Sequence, residues 1–472
     1  MIERVWQIIF WINGIVLGYF LILNTSYLVA SLVSFHALRR YIRRLRALDL
    51  DDLLASHGVP PMTLITPAYN EEATCVQSLR SLLALRYAEF EIIVVNDGSK
   101  DATVDRLREA FDLVPGERLA TGALPTALVR ATYRSRTHAN LWVLDKENGG
   151  KADALNAGLN QCRTPLFCAM DADSLLERDA LTRIVRPFLE NGSTVAAGGI
   201  IRIANGCVVR DGRVLRVGLP RPLLPRLQVL EYLRAFLAGR MGWHAAGATL
   251  IISGAFGVFR RDIVVQAGGY ATDTVGEDME LIVRLHRYCR ERRLEYQIAF
   301  VPDPVAWTES PTSLAVLRRQ RDRWQRGLIE TLLRHRVMLF NPRYGRIGLV
   351  AYPYFFLLEM LGPLIETGGY LSFGVTVAFH RASPIYITTF FVVAVVLGAV
   401  LSISAVALEE LSFRRYSNPG DLLSLIWLGI VENFGYRQLT SAWRLGGTIS
   451  ALRGKKGWGR MERAGFQVAS NG

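Results

Sequence analysis

The longest uncharged stretch of the chain runs from Val5 to Phe35 and contains no Asp, Glu, Lys or Arg. Roughly 20 consecutive apolar residues in a helix suffice to cross the hydrocarbon core of a bilayer, so this stretch predicts a membrane-spanning helix. A cleaved signal peptide fits less well, because the apolar run is too long and no small-residue cleavage site follows it. Arginines come directly afterwards, at Arg39, Arg40, Arg43, Arg44 and Arg46. The preference for positive residues on the cytoplasmic side then places the N-terminus outside and the chain from residue 40 onward in the cytoplasm.

Apolar stretches return near the C-terminus. Residues 347–379, interrupted at Gly362-Pro363, and the uncharged residues 382–408 predict a membrane hairpin. Glu359 and Glu366 are two helical turns apart and share one face, where intramembrane carboxylates usually point into a bundle or a water-filled path. The stretch 421–445 is apolar but broken by charges and basic at both flanks, so we interpret it as interfacial or re-entrant.

Composition narrows the class of partner. Among 472 residues, 55 Lys plus Arg exceed 42 Asp plus Glu, which gives a net charge of +13. The basic clusters lie beside apolar stretches and favour a membrane lipid surface as partner. Nucleic acid is not expected, because the sequence has no zinc-finger spacing and no RNA-binding aromatic motif. The five cysteines have no paired spacing and are predicted to be reduced thiols of a cytosolic domain.

Residues 60–205 alternate short apolar runs with amphipathic segments, a pattern typical of an α/β domain with a mostly parallel sheet flanked by helices. In such sheets, ligands bind beyond the carboxyl ends of the strands. The polar segments 67–72 (PAYNEE), 97–99 (DGS) and 171–173 (DAD) lie at such ends. The predicted strands are 62–66, 90–96, 127–133, 141–144 and 166–170, and the predicted helices lie near 73–84, 101–111 and 151–161.

Two segments of this region, 171–173 and 148–156, suit the binding of a diphosphate. Asp171 and Asp173 are two apart in extended backbone, so both carboxylates can face one cation, and such hard oxygen ligands suit Mg²⁺ or Mn²⁺. The alternative is an ordinary turn after a strand. The segment 148–156 (NGGKADALN) brings Lys151 to the start of a helix, a position that attracts phosphate. Its alternative is a capped helix with a surface lysine.

Later segments permit a structural and a functional interpretation. Residues 207–217 predict a hairpin around Asp211-Gly212. Residues 223–242 predict a helix that lies on the membrane face or packs on the sheet. The run from Ser253 to Arg260 combines small residues with aromatic ones, which suits either a sugar against an aromatic ring or a tightly packed strand.

Two further segments carry charged groups at helical positions. Glu277 and Asp278 open a periodic stretch, where acidic residues are also favoured by the helix dipole alone. Gln320, Arg323 and Trp324 share one face of a predicted helix. A cation beside an indole suits a diphosphate and a sugar, although basic residues before a membrane segment can simply anchor it.

Taken together, the motifs resemble the processive family 2 glycosyltransferases, most closely the poly-N-acetylglucosamine synthases and more distantly the cellulose, hyaluronan and chitin synthases. The resemblance covers residues 60–330. It depends on the order of DGS at 97–99, GKADALN at 150–156, DAD at 171–173, SGAF at 253–256, GED at 276–278 and QRDRW at 320–324.

The resemblance implies a GT-A domain and an inverting transfer from a nucleotide diphosphate sugar, with UDP-GlcNAc favoured as donor and Mg²⁺ or Mn²⁺ as cofactor. It implies Asp278 as the catalytic base with Glu277 beside it, and Asp173 with Asp171 at the metal. Donor binding would fall to Pro67, Tyr69, Glu71, Asp97, Lys151, Asp171, Gln320, Arg323 and Trp324, and acceptor binding to Ser253, Gly254, Ala255, Phe256, Gln228, Glu231 and Tyr232.

The expected organisation is a membrane helix with its basic flank (1–46), a cytosolic GT-A domain with interfacial helices near 223–242 and 311–345 (47–330), a membrane hairpin (346–410) and a cytosolic or re-entrant end (411–472). The expected location is the inner or plasma membrane, with several spans. The expected acceptor is a growing polysaccharide.

No cyclic-dinucleotide-binding domain is expected after the last span. The small number of expected spans implies a partner, either an accessory export or regulatory subunit or a second copy of the chain in a homo-oligomer. Two alternatives are an enzyme that adds one sugar to a membrane lipid and a catalytically silent scaffold subunit.

Overall fold

A computed structural model describes residues 2–45, 58–210, 213–416 and 418–454. Tertiary packing divides these residues into two units. The helical unit contains residues 2–40, 219–248 and the described part of 311–454, and the α/β unit contains the described part of 41–218 together with 249–310.

The α/β unit is built on a ten-stranded sheet with the order β3-β4-β5-β2-β1-β6-β11-β8-β12-β7, and a separate two-stranded sheet pairs β9 with β10. The strands are β1 Met62–Ala68, β2 Phe90–Asp97, β3 Leu113–Pro115, β4 Val129–Ser135, β5 Leu141–Lys146, β6 Leu166–Met170, β7 Leu175–Leu176, β8 Thr194–Ile203, β9 Val208–Arg210, β10 Arg213–Arg216, β11 Phe256–Arg260 and β12 Gln297–Thr308.

The centre of the sheet is parallel, as predicted. The adjacent strands β5, β2, β1 and β6 all run in the same direction. Their middle residues are apolar and buried, because helices cover both faces of a parallel sheet. Antiparallel strands extend this centre on both sides. On one side β4 is antiparallel to β5, because the turn that joins them is too short for a parallel crossover. On the other side β11 lies between β6 and β8 and is antiparallel to both. The sheet is therefore mixed around a parallel core.

The helices of the α/β unit include all three that the sequence predicts. Lys151–Gln161 begins and ends where predicted, and its residues Leu155 and Leu159 are buried in the core with Ile65 and Ile93. Burial of each such side chain contributes about 1.5–3 kcal/mol. The helices are Cys75–Leu83, Thr103–Ala110, Lys151–Gln161, Ala180–Ile184, Arg186–Glu190, Arg261–Gln266 and Glu277–Glu291.

The predicted hairpin of residues 207–217 is present as the antiparallel pair β9 and β10. Its turn residues, Asp211 and Gly212, lie outside the described residues.

The helical unit contains long apolar helices and shorter helices around them. Its members include π-helical turns at Leu233–Gly239, Ile347–Ala351, Phe355–Met360 and Val392–Val396, and short 3₁₀ turns at Arg336–Met338 and Pro342–Tyr344. The α-helices are Ile2–Leu45, whose last residues belong to the α/β unit, Leu223–Tyr232, Arg240–Ala245, Leu314–Arg334, Tyr352–Tyr354, Gly362–Ala378, Pro384–Phe391, Leu397–Ser412, Pro419–Val431 and Tyr436–Leu452.

Among the described residues, two helical segments are long and apolar enough to cross a membrane: Ile2–Leu45 and Pro384–Ser412. The pair Ile347–Met360 and Gly362–Ala378 is bent by 41° and makes a third candidate if it is one span. The bend falls at Gly362-Pro363, as the sequence predicts, because proline cannot donate a backbone hydrogen bond and clashes with the preceding turn. Residues 421–445 form two shorter helices, neither of which qualifies as a span.

The helical segment from Leu223 to Ala245 belongs to the helical unit rather than to the sheet. The Ser34 hydroxyl donates to the carbonyl of Ala238 at 2.5 Å, and the Arg234 guanidinium donates to the Ser402 hydroxyl at 2.7 Å. The segment thus packs against other helices of its own unit. The helix Leu314–Arg334, which carries QRDRW, also lies in the helical unit.

Candidate active site

Three motifs of the α/β unit meet at the ammonium group of Lys151. This residue is the first of the helix Lys151–Gln161, and its Nζ lies 2.5 Å from Asp171 Oδ1 and 3.2 Å from Glu277 Oε1. Asp171 directly follows the predicted strand β6, and Glu277 is the first residue of the helix Glu277–Glu291. Segments that are far apart in sequence thus supply one cluster of opposite charges.

The charges in this cluster control one another. Burial by itself would lower the pKa of Lys151, but the carboxylates of Asp171 and Glu277 raise it above its ordinary value. The ammonium therefore keeps its positive charge at neutral pH. Burial raises the pKa of Glu277, the charge of Lys151 opposes that effect, and the nearby Asp278 adds to the increase.

The Asp278 carboxylate is held by two backbone amides. Gly254 N donates to Oδ2 at 3.0 Å and Met279 N donates to Oδ1 at 2.8 Å. This joins the SGAF segment to the GED segment. A Cβ atom at Gly254 would lie 2.8 Å from Lys151 Nζ, so a larger residue here would displace the ammonium.

A pocket opens beside Lys151 and Asp278. Its lining combines apolar side chains with a few charged groups, a combination common to small-molecule sites. The lining residues are Lys151, Leu155, Ala169, Ile252, Ser253, Gly254, Phe259, Tyr270, Glu277 and Asp278.

The Asp171–Asp173 turn offers two carboxylates to a metal. The turn is fixed by the Ser78 hydroxyl, which donates to the carbonyl of Ala172 at 2.7 Å. Within the described ranges, no group of three or more His, Cys, Asp or Glu side chains could hold a metal. Mg²⁺ is commonly bound by one or two carboxylates together with substrate phosphates. The donor set here therefore fits a divalent cation that is bound together with a diphosphate.

The predicted nucleotide segments interlock at the carboxyl ends of β1 and β2. Asn70 N donates to Ser99 Oγ at 2.9 Å, Lys100 N donates to Asn70 Oδ1 at 2.8 Å, and Glu71 N donates to Thr103 Oγ1 at 2.9 Å. The Pro67 end of β1 lies in register with β2, and 46% of Tyr69 is exposed. PAYNEE and DGS thus form one surface, as predicted, with the Tyr69 ring accessible to a ligand.

Asp97 is engaged within the protein. Its carboxylate accepts hydrogen bonds from Gly149 N at 2.9 Å and Gly150 N at 2.8 Å, and pairs with Lys146 Nζ at 2.6 Å. The residue is buried, and it anchors the loop before Lys151. Its contact with a nucleotide stays a prediction.

The aromatic rings between Ser253 and Arg260 fit the second of the two interpretations given above, a tightly packed strand. Phe256 is 0% exposed, and the Phe259 ring stacks on Phe167 with centroids 5.2 Å apart. Tight packing in strand β11 thus explains these rings, and a sugar cannot lie on the Phe256 ring. Ser253 and Gly254 line the pocket, and Ala255 N donates to Ser253 Oγ at 3.4 Å within the turn.

In the helical unit, Gln320, Arg323 and Trp324 lie on the predicted helix, Leu314–Arg334. Gln320 is buried, whereas 37% of Trp324 is exposed. The Arg321 guanidinium lies 4.3 Å from the centre of the Trp324 ring, so a cation and an indole are adjacent as predicted, although the cation is Arg321.

The predicted acceptor residues of the preceding helix are engaged within the same unit. Gln228 is 0% exposed and donates to the carbonyl of Pro311 at 2.7 Å, and its role in acceptor binding stays a prediction. Glu231 accepts from Arg321 and from the Tyr436 hydroxyl, both at 2.9 Å. The ring of Tyr232 is buried and stacks on Phe236 with centroids 4.4 Å apart.

Sequence reasoning missed Lys146, which pairs with Asp97 and with Asp153 at 2.6 Å each. It also missed Tyr270, which lines the pocket; its backbone N donates to Asn156 Oδ1, and its carbonyl accepts from Asn156 Nδ2. The only sequence signal for Lys146 is a charged residue at the end of an apolar strand, directly before the NGGK segment.

The mixed sheet with a parallel core and the lysine–acid cluster at its carboxyl edge define a GT-A glycosyltransferase. Comparison with protein families agrees: residues 63–122 match a model described as "Glycosyl transferase family 2", and residues 126–327 match one described as "Glycosyltransferase like family 2". Over residues 63–122 and 126–327, the chain thus matches the family 2 glycosyltransferases.

Curated relatives share the name poly-beta-1,6-N-acetyl-D-glucosamine synthase. That of Staphylococcus aureus (strain COL) is 29% identical over 274 residues, which cover 58% of this chain and 56% of the relative. That of Staphylococcus epidermidis is 28% identical over 277 residues, with the same coverage. The alignment thus spans just over half the length of these relatives.

Among solved structures, the mannosyltransferase PcManGT from Pyrobaculum calidifontis, in complex with GDP-Man and Mn²⁺, has a TM-score of 0.48 at 19% identity, covering 92% of this chain and 100% of that one. Residues 1–349 of S. aureus TarS have a TM-score of 0.39 at 15% identity, covering 82% and 92% of the two chains.

Proposed function

We propose that this enzyme is a processive, inverting glycosyltransferase that extends a β-linked polysaccharide from a UDP-sugar, with UDP-GlcNAc as the favoured donor. The observation that carries the proposal is the meeting of Lys151, Asp171 and Glu277, with the oriented Asp278 beside them. The synthase names of the curated relatives support the polysaccharide product and the choice of sugar.

In the proposed reaction, an acceptor hydroxyl attacks the anomeric carbon of the donor on the face opposite the diphosphate. Asp278 takes the proton of that hydroxyl as a new carbon–oxygen bond forms, and the bond to the diphosphate breaks to release UDP. Attack from the opposite face inverts the configuration at the anomeric carbon. The two amides on Asp278 hold its carboxylate in one orientation for this step.

Lys151 offsets the negative charge that builds on the departing diphosphate. Its ammonium is already placed among carboxylates by the protein, so little reorganisation is needed at the moment of reaction. A divalent cation, Mg²⁺ or Mn²⁺, would be held by Asp173 and Asp171 and would supply further positive charge to the diphosphate.

Pro67, Tyr69 and Glu71 are proposed to bind the nucleotide. Gln320, Arg323 and Trp324 are proposed to bind donor and acceptor groups, with the exposed indole suited to stacking on a sugar.

We further propose that the enzyme is a multi-pass protein of the inner or plasma membrane with its GT-A domain in the cytoplasm. The arginines that follow the N-terminal helix support this orientation. The proposed organisation is 1–46, 47–330, 346–410 and 411–472, with membrane lipid around the apolar helices. An accessory export or regulatory subunit, or a second copy of the chain, is a proposed partner because the described residues contain only two or three candidate spans.

The decisive experiment measures nucleotide release by the full-length protein in lipid nanodiscs with a panel of UDP- and GDP-sugars, each with Mg²⁺ or Mn²⁺. The product is then sized and its linkage determined. We expect UDP release with UDP-GlcNAc and a long product. A single sugar on a lipid would support the non-processive alternative, and no release with any donor would support a catalytically silent scaffold.

A further inference from the structure

A buried lysine that does not line the pocket lies five residues before Lys151 in the chain. Lys146 ends strand β5 and its side chain is 0% exposed. Its Nζ lies 2.6 Å from Asp97 Oδ1, 2.6 Å from Asp153 Oδ1 and 2.6 Å from the carbonyl oxygen of Glu147. An ammonium without water needs such partners, because an unpaired buried charge is strongly unfavourable.

Of the two carboxylates that surround Lys146, Asp97 holds the loop that follows it. Asp97 accepts hydrogen bonds from Gly149 N and Gly150 N, and its carbonyl accepts one from the Asn148 side chain at 2.7 Å. Asp153 lies in the first turn of the next helix and accepts from Ala127 N at 3.0 Å. The loop 147–150 is thus attached to β2 through Asp97, while Lys146 joins Asp97 to the helix through Asp153.

The residue after this loop is Lys151, whose ammonium contacts Asp171 and Glu277. Gly150 is the residue that precedes the helix, so the position of the Lys151 backbone depends directly on the loop. Displacement of a catalytic group by about 1 Å can reduce a rate by on the order of a hundredfold.

We propose that Lys146 is a positioning residue for the transferase reaction. Its charge holds Asp97 and Asp153 together, which fixes loop 147–150 and thereby the place of the Lys151 ammonium. The proposal rests on the proposed function, since it assigns Lys151 to the donor diphosphate. Without Lys146, the two buried carboxylates repel each other and the loop loses its fixed attachment.

If Lys146 had a purely structural role, its buried ion pairs would stabilise the α/β unit, and their loss would leave donor binding unchanged. The α/β unit offers a matched control in Arg118, whose side chain is only 3% exposed and pairs with Glu91 at 2.7 Å. Arg118 Nε also donates to the carbonyl of Gln161, at the opposite end of the helix that Lys151 begins.

The first experiment compares Lys146→Met, Lys146→Arg and Arg118→Met in the full-length protein by UDP release and thermal unfolding. We expect both methionine variants to unfold at lower temperature. Lys146→Met should raise the donor KM by about tenfold to a hundredfold, Arg118→Met should stay within about twofold of the parent, and Lys146→Arg should recover part of the loss. Equal effects of the two methionine variants on KM, or an unchanged KM in Lys146→Met, would overturn the proposal.

The second experiment is independent of turnover and measures hydrogen exchange at the amides of Gly149 and Gly150. We expect faster exchange in Lys146→Met and unchanged exchange in Arg118→Met. If the parent protein transfers no sugar, the proposed function fails while this measurement still tests the loop. Unchanged exchange in an active enzyme would refute the role of Lys146 alone. Should Lys146→Met not fold, Asp153→Asn removes one carboxylate of the pair and should give the same pattern with smaller amplitude.

Discussion

The proposed reaction depends on Asp278, which acts in it as the general base. Both of its carboxylate oxygens accept backbone hydrogen bonds, so its orientation is fixed by Gly254 and by its own helix. Asparagine is nearly the same size but cannot take a proton from an acceptor hydroxyl.

We expect Asp278→Asn to retain metal-dependent binding of UDP and to lose transfer by about a hundredfold to ten-thousandfold, the usual contribution of a general base. UDP binding by calorimetry and UDP release with UDP-GlcNAc measure the two properties separately. Asp273→Asn is a suitable control, because it makes the same chemical change at an exposed acid five residues earlier. Unaltered turnover in Asp278→Asn would remove this residue from the role of base.

The lysine–acid cluster also predicts a dependence of stability on pH. Burial raises the pKa of Glu277 and the charge of Lys151 limits that increase. In Lys151→Met the limit is lost, so the pKa of Glu277 should rise further above its unfolded value. A carboxyl group whose pKa is raised on folding stabilises the protein below its unfolded pKa, and that contribution is lost as pH rises through the folded pKa.

The unfolding temperature of Lys151→Met should therefore fall, relative to that of the parent, as pH increases from about 4.5 towards neutrality, 4.5 being close to the ordinary pKa of glutamate. Thermal unfolding across this range measures the effect. The double variant Lys151→Met/Glu277→Gln has no titrating group at this position and should lose the additional dependence. If the double variant keeps it, another group is responsible.

At the scale of elements, the helix Tyr436–Leu452 supports the helix that carries QRDRW. The Ser450 hydroxyl donates to Asp322 at 2.9 Å, and Arg444 Nε donates to Gln325 Oε1 at 3.0 Å. The two helices approach closely at Gly447, where a Cβ atom would lie 2.8 Å from the Asp322 carbonyl oxygen. A larger residue at this position must move one helix relative to the other.

We expect Gly447→Leu to destabilise the helical unit by about 1–3 kcal/mol, the usual effect of overpacking. If Trp324 and Arg323 bind donor and acceptor groups as proposed, the shift should also lower the rate of elongation about tenfold and shorten the polymer. Gly446→Leu is the matched control, because a Cβ atom at Gly446 has no heavy atom within 4 Å. Product sizing and UDP release report both effects, and equal behaviour of the two variants would contradict this role of the helix.

The sequence predicted the bounds of those strands and helices that begin or end at a local change in residue type. Strand β6 has the predicted bounds because an apolar run ends at Asp171, and the helix Lys151–Gln161 because glycines precede it. The insertion of β11 between β6 and β8 could not be predicted, since strand partners depend on distant segments. The contacts of Asp97 with the loop before Lys151 could not be predicted for the same reason, since a carboxylate after a strand has one sequence pattern whether or not it holds a neighbouring loop.

At the scale of the whole molecule, the predicted membrane carboxylates are paired inside the helical unit. Glu359 accepts a hydrogen bond from the Tyr27 hydroxyl and lies 3.3 Å from Arg444 Nη2, while Glu366 accepts one from Ser441. These contacts connect the N-terminal helix, the bent pair around Gly362-Pro363 and the helix Tyr436–Leu452. The pairing explains how two acids are tolerated among apolar helices.

The pairing also separates two otherwise similar substitutions. Glu359→Gln leaves Arg444 without the carboxylate with which it pairs, whereas Glu366→Gln keeps an oxygen that can accept from Ser441. We therefore expect Glu359→Gln to reduce the amount of protein in the membrane fraction and the polymer found outside the cell severalfold, and Glu366→Gln to reduce both much less. UDP release per molecule of purified protein should change less than polymer export in both variants, because the proposed base Asp278 and the diphosphate-binding Lys151 lie in the α/β unit. Wild-type polymer output outside cells that carry Glu359→Gln would show that this pair serves neither assembly nor export.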